Sequence, residues 1–210
     1  MEPASSLAHI GGMAINALHL FDQVKDAFYF TPDAGKTPAE NAAEAISAAS
    51  LVTAAIAAEP IPWLDLAIMI PLQVRMIASI GVCYGFPMNL SRARRVAAEL
   101  GGAALLGFGA RQALRELGKV IAPAVGGIVT APLAYAATYS LGRLAERYYR
   151  VLSGEAPALS VEERKQLAAE LNAQGRKIGA ALSVSDLQQI AGTLRERAQH
   201  AREQARRPGK

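Results

Sequence analysis

Residues 71–85 read PLQVRMIASIGVCYG, an apolar run that carries a glutamine, an arginine and a tyrosine. A membrane span avoids such groups, an active site supplies partners for them, and a packed helical bundle must satisfy each one. On a helix, Gln73, Ile77, Ile80 and Tyr84 recur at i, i+4, i+7 and i+11 and share one face, whereas Arg75, Ser79, Val82 and Phe86 share another. The pattern predicts that Gln73 and Tyr84 bracket an apolar seam and hydrogen-bond to a neighbouring helix. Pro71 has no N–H and frees a backbone carbonyl one turn earlier. Arg75 is expected to point to water, to a headgroup or towards the surroundings of Asp65, which lies ten residues away and off that face.

The rest of the chain reads helical in the same way, and no run alternates with period two between hairpin turns. A first helix is expected over about Leu7 to Phe28. It is followed by TPDAGKTPAEN at 31–41, where GKT matches the end of a phosphate-binding loop. The full loop requires an earlier glycine, a preceding strand and a following helix, and the earlier position is Phe30. Thr37 as N-cap, Pro38 at N1 and Glu40 at N3 instead form a capping box that opens the helix PAENAAEAISAASLVTAAIAA.

Beyond the EPIP break at 59–62 come the apolar segment Trp63 to Phe86, interrupted by Pro71, and the basic amphipathic stretch SRARRVAAEL. The Gly-rich GGAALLGFG and a second apolar run from Val120 follow. SGEAPAL at 153–159 reads as a linker. Ser160 with Glu163 then caps a helix of about twenty residues with Leu167, Leu171, Ile178 and Leu182 on one face. Ser185 with Gln188 is expected to start the last helix, striped by Leu187, Ile190, Leu194, Ala198, Ala201 and Ala205.

These signals predict an all-α fold: a multi-helix bundle with central apolar Gly/Ala-rich helices and a C-terminal helical hairpin. The expected organisation is N-terminal helices over 1–58, an apolar helical core over 59–152 and a polar hairpin with a basic tail over 153–210. Apolar residues make up 51% of the 210 positions but aromatics only 6%. That balance suits close packing through small side chains, in water or in lipid.

Membrane insertion is left open by the sequence. Residues 121–141 hold no charge, and at about 1.5 Å per residue they reach about 31 Å, near the hydrocarbon thickness. Only six of these positions are Ile, Val or Leu, and two are Pro. Ala122, Gly126, Thr130, Ala134, Thr138 and Gly142 recur every four residues and mark a strip where another helix crosses closely. Arg111, Arg115 and Lys119 precede this run and Arg143, Arg147 and Arg150 follow it. That symmetry fits a re-entrant hairpin or a soluble bundle better than a single span.

The formal net charge is +4, and residues 195–210 carry six basic and two acidic side chains, the whole of that excess. The interspersed acids lower the case for nucleic acid, which is not an expected partner. Arg92, Arg94 and Arg95, with Arg206 and Arg207 of the tail, are the expected contacts to anionic lipid headgroups.

Chemistry-bearing patterns are not evident. His9, His19 and His200 lie far apart outside any metal-ligand spacing, and Cys83 is the single cysteine, in an apolar run expected to be core. No catalytic, cofactor-binding or metal-binding residues are expected, and an enzyme is not. The start of the chain, MEPASSLAHIGG, lacks a positive n-region. The expected location is the cytoplasmic side of a bacterial membrane, or the cytoplasm.

Read together, IPWLDLAIMIPLQVRMIASIGVCYG, LGKVIAP and GRLAERYY resemble a bacterial family of helical domains that includes YcjF-like membrane proteins and domains fused to, or encoded beside, small GTPases. The resemblance covers about residues 60–152. Its signature here is Asp65, Gln73, Met76, Ile77, Ile80, Tyr84 and Gly85, then Lys119, Pro123, Gly126, Thr138, Tyr139, Gly142, Arg143 and Tyr148. It implies an all-helical, membrane-associated domain that works with a GTPase. Because this chain has neither a complete phosphate-binding loop nor an Asn-Lys-x-Asp motif, the GTPase would act in trans. The expected function is a non-enzymatic membrane-associated partner or scaffold, with a soluble all-α interaction module as the alternative and a second copy of the chain as a further expected partner.

Overall fold

The computed structural model describes residues 31–58, 64–107 and 130–193, with no statement on the side chains of 64–68, 101–107 and 130. The helix expected over Leu7 to Phe28, the stretch 108–129 with Gly126, and the tail with Arg206 and Arg207 lie outside the described residues. The fold is all-α. Five helices have defined bounds: α1 Pro38–Ala58, α2 Leu64–Cys83, α3 Leu90–Gly107, α4 Thr130–Leu152 and α5 Val161–Ala180. A further helical stretch, α6, covers residues 184–193.

Helix α4 is the axis of the bundle. From Ala131 to Tyr149, Ala137 is the one fully exposed residue, because α1, α2, α3 and α5 all pack against this helix. A Cβ at Gly142 would meet Ile46 of α1, and Thr53 of α1 reaches the carbonyl of Ala134. The two pairings run in opposite chain directions, so α1 is antiparallel to α4. Gln73 meets Thr138 and Tyr84 meets Glu146, so α2 runs parallel to it. Gly175 lies on Ala136 and Gly179 on Pro132, so α5 is again antiparallel.

The helix ends follow from local chemistry. Thr37 N donates to Glu40 Oε2 (2.8 Å) and Glu40 N to Thr37 Oγ1 (3.2 Å), the reciprocal capping box expected from the sequence. The buried Asn41 accepts from Asp33 N (2.8 Å) and donates to Asp33 O (2.9 Å), fastening the preceding loop to α1. GKT is thus the approach to a helix cap. Ser160 and Glu163 form the second expected box at α5.

Both α2 and α4 end in the same way. Gly85 has φ +81°, with Phe86 N donating to Gly81 O (2.9 Å) and Gly85 N to Val82 O (3.0 Å). Gly154 has φ +80°, with Glu155 N donating to Arg150 O (2.9 Å) and Gly154 N to Val151 O (3.2 Å). Each is a Schellman turn, in which a left-handed residue returns two amides to the last carbonyls. A Cβ at Gly85 meets nothing within 4 Å, so its substitution tests backbone conformation alone. Gly85→Ala is expected to lower stability by about 1 kcal/mol, read as a shift in urea midpoint.

Two expectations are corrected. Pro71 does not interrupt its helix: α2 continues through it, giving up one intrahelical bond to the carbonyl one turn earlier. On the second face of α2, Ser79 is 2% exposed, and Arg75 is half-buried and engaged. Helix α6 begins at 184 and not after Ser185: Leu187 N donates to Ser183 O (3.2 Å), and Ser183 and Ser185 share a hydroxyl hydrogen bond.

Candidate functional site

Two polar constellations stand out, one buried between α2 and α4 and one exposed at the start of α3. The buried one begins at Gln73, whose Nε2 donates to Thr138 Oγ1 at 3.0 Å. Thr138 is fully buried, a polar group inside the apolar seam. Eleven residues along α2, Tyr84 donates its hydroxyl to Glu146 Oε1 at 3.2 Å. Between them Met76, Ile77 and Ile80 are buried to 2% exposure or less. The seam predicted from spacing alone is present, and both polar brackets reach one helix.

Glu146 is 7% exposed and has both oxygens engaged, since Arg143 Nη1 donates to Oε2 at 2.9 Å. The Arg143 guanidinium lies 5.4 Å from the centre of the Tyr139 ring, a cation–π placement. Burial raises the Tyr84 phenol pKa, and the Glu146 charge raises it further. The phenol is a neutral donor at any ordinary pH. With both oxygens engaged, Glu146 joins the end of α2 to α4.

Small residues admit these contacts. A Cβ on Gly81 would lie 2.8 Å from Cζ of Tyr149, and one on Gly142 2.8 Å from Ile46 Cγ1 and 3.2 Å from Met76 Cε. Ala134, Thr138 and Gly142, the described part of the four-residue strip, therefore face α1 and α2. Cys83 is partly buried beside this network, and burial pushes its thiol up to about 11 from 9.0. A thiol so raised holds about one-hundredth of the thiolate of a free one. Alkylation at pH 8 is expected to be slower by that factor in the native chain and to recover in urea.

The exposed constellation is on α3. Asn89 caps it, accepting from Arg92 N at 2.8 Å. Arg92 is half-buried with its guanidinium 5.9 Å from the Phe86 ring centre, while Arg94 and Arg95 are exposed. Phe86 in turn lies 5.3 Å from Tyr149, which meets Tyr148 edge-on at 5.3 Å.

Among the sequence-derived residues, Gln73, Met76, Tyr84, Thr138, Gly142 and Arg143 come together along the α2–α4 seam. Tyr148 lies at its end and Gly85 just beyond it. The Asp65 side chain, Gly126, Arg206 and Arg207 lie outside the described residues. Glu146 was overlooked, although it sits inside GRLAERYY three residues after Arg143. Gly175 and Gly179 were also overlooked, although their spacing of four is the signal used for the strip on α4. No group of three or more His, Cys, Asp or Glu side chains able to hold a metal occurs among the described residues.

A family model described as a domain of unknown function, DUF697, matches residues 36–174. The chain belongs to this family. The DUF697 match starts before and ends after the segment 60–152 on which the resemblance rested, taking in α1 and most of α5. A relative, magnetosome membrane protein 22 of Magnetospirillum gryphiswaldense, is 36% identical over 104 residues, covering 47% of this chain and 53% of that protein. The chain thus spans about half the length of the curated relative it matches. No solved structure matches. The relative's name speaks of a membrane and the family's description of no activity; neither mentions a GTPase.

Proposed function

We propose that this DUF697 chain is a non-enzymatic helical partner protein that works at the cytoplasmic surface of a bacterial membrane. The observation that carries the reading is the contrast between the hydropathy of its helices and the surface of the folded bundle. Among the described residues one helix, α1, is long and apolar enough to cross a membrane, yet 67% of its most apolar window is buried inside the bundle. Its apolar face is already spent on α4 and α2.

Helix α5 argues in the same direction. Glu162, Glu163, Gln166, Glu170, Gln174 and Lys177 are exposed from its first turn to its last, and the later part of the helix lies along the uncharged part of α4. Charged side chains at the centre of a bilayer cost about 2.5–3.5 kcal/mol apiece on insertion scales. A bundle so covered is suited to lie on a bilayer, not within it. The name of the magnetosome relative supports the membrane itself.

The GTPase partnership rests on the resemblance of residues 60–152 to domains fused to or encoded beside GTPases. Because the motifs of this chain include no complete nucleotide site, that activity would belong to a separate protein. The non-enzymatic reading is supported by the use of the buried polar groups, which join helices. A soluble all-α interaction or assembly module, including self-association, is the second reading, and the burial of α1 fits it equally.

Cell fractionation tests the choice. The expected outcome is a membrane pellet at low ionic strength and release by a high-salt wash. Retention through carbonate would replace surface binding by insertion, and a soluble protein at low salt would establish the second reading. Copurification of a GTPase from the native host, altered by the bound nucleotide, is expected for the partnership; its failure with either nucleotide would remove it.

A further inference from the structure

We infer that residues 86–95, the turn between α2 and α3 with the first turns of α3, are the surface through which this chain docks on an anionic phospholipid bilayer. The inference rests on the membrane-surface reading and gives it a location. Ala93, Val96 and Leu100 are at most 3% exposed and fix the inward face of α3. Residues 94 and 95 then straddle the outward face. Both arginines are exposed, and among the described residues neither is held by a carboxylate. The nearest acid along the helix, Glu99, is turned to Arg164 at 3.4 Å.

Beside these cations stand two apolar side chains facing water, Met88 at 50% and Leu90 at 44% exposure. Six large hydrophobic residues are exposed among the described residues, and four of them, Met88, Leu90, Leu152 and Val161, belong to this end of the bundle. That distribution selects this end. The turn is also rigid, held by the Schellman bonds at Gly85, the Asn89 cap and Arg92 over Phe86. Little ordering is required on binding.

A bilayer offers what both components need: phosphates for Arg94 and Arg95 and an acyl boundary for Met88 and Leu90. A nucleic acid would satisfy the arginines and leave the apolar pair in water. Commitment to lipid follows from the pair.

The full-length chain is to be floated with vesicles of phosphatidylcholine alone or mixed with phosphatidylglycerol. Binding is expected to the mixed vesicles and not to phosphatidylcholine. Arg94→Ala with Arg95→Ala is expected to weaken it about 30-fold, and Met88→Ser with Leu90→Ser about tenfold, with native circular dichroism in both. If the wild type binds and the arginine variant binds equally, the docking surface is overturned while the membrane-surface function stands. If the wild type binds neither vesicle, both fall. Retention of a single-stranded RNA in place of vesicles, with the same dependence on Arg94 and Arg95, would overturn the lipid assignment.

Discussion

Replacing Gly175 with leucine is expected to lower stability by about 3 kcal/mol and to detach α5 from α4. Even a single Cβ at 175 would stand 2.8 Å from the Cα of Ala136, and one at 179 would stand 2.9 Å from the Cα of Pro132. The obstructing atoms are backbone in the first two turns of the central helix and cannot rotate aside. Alanine at 175 gains about 1 kcal/mol of helix propensity and loses more to overpacking, so a net loss of about 1 kcal/mol is expected. Gly192 is the control, because a Cβ there meets nothing within 4 Å. Gly192→Ala is expected to stabilise by about 0.5 kcal/mol. Urea midpoints at constant slope read all three. A Gly175→Leu protein that unfolds at the wild-type midpoint would contradict the close crossing of α4 and α5.

The same crossing shows why some contacts were legible in the sequence and others were not. Gln73 and Tyr84 were conspicuous because they are polar in an apolar run, and a buried polar group needs a partner. Spacing put them on one face, and the structure supplies Thr138 and Glu146. Capping boxes at Thr37 and Ser160 were legible because they depend on residues three apart. Gly175 and Gly179 sit in a charged helix whose leucines suggested a conventional apolar face. Its buried centre is instead Ala168, Gly175 and Gly179, with Leu167, Leu171 and Ile178 packed at the margins. Small residues on a polar helix carry little hydropathy, so only the partner's proximity reveals them.

Burial of the central helices was ambiguous for a related reason. Composition reports that α1 is apolar, and an apolar helix is equally stable against lipid or against other helices. What distinguishes the two is the surface that remains, and that surface comes from the order in which α5 covers α4. Met88 and Leu90 were passed over because isolated apolar residues in a turn are common, and only their exposure beside Arg94 and Arg95 gives them meaning.

Truncating Glu146 to alanine is expected to cost about 2–3 kcal/mol. Removing one partner of a fully buried ion pair costs about 3–5 kcal/mol. The Arg143 side chain is 31% exposed, against 10% for Glu146, and water screens part of the loss. Glutamine keeps an acceptor for Tyr84 and is expected to cost about 1 kcal/mol, while Tyr84→Phe, which removes one hydrogen bond, is also expected to cost about 1 kcal/mol. The alkaline limb adds an independent reading. Folding raises the Tyr84 pKa, first through burial and then through Glu146, with Arg150 opposing and Glu155 assisting. The native state therefore holds its proton more tightly than the unfolded chain. Its contribution is complete below the unfolded value of about 10 and is lost as pH rises beyond it. Tyr84→Phe is expected to flatten the decline in stability above pH 10 without abolishing it. Burial also pushes Tyr135 up to about 12 and raises Tyr149. Urea midpoints measured from pH 8 to 11 separate the cases: a Glu146→Ala protein of wild-type stability, or a Tyr84→Phe protein with an unaltered alkaline slope, would mean that the clasp between α2 and α4 does not hold the bundle together.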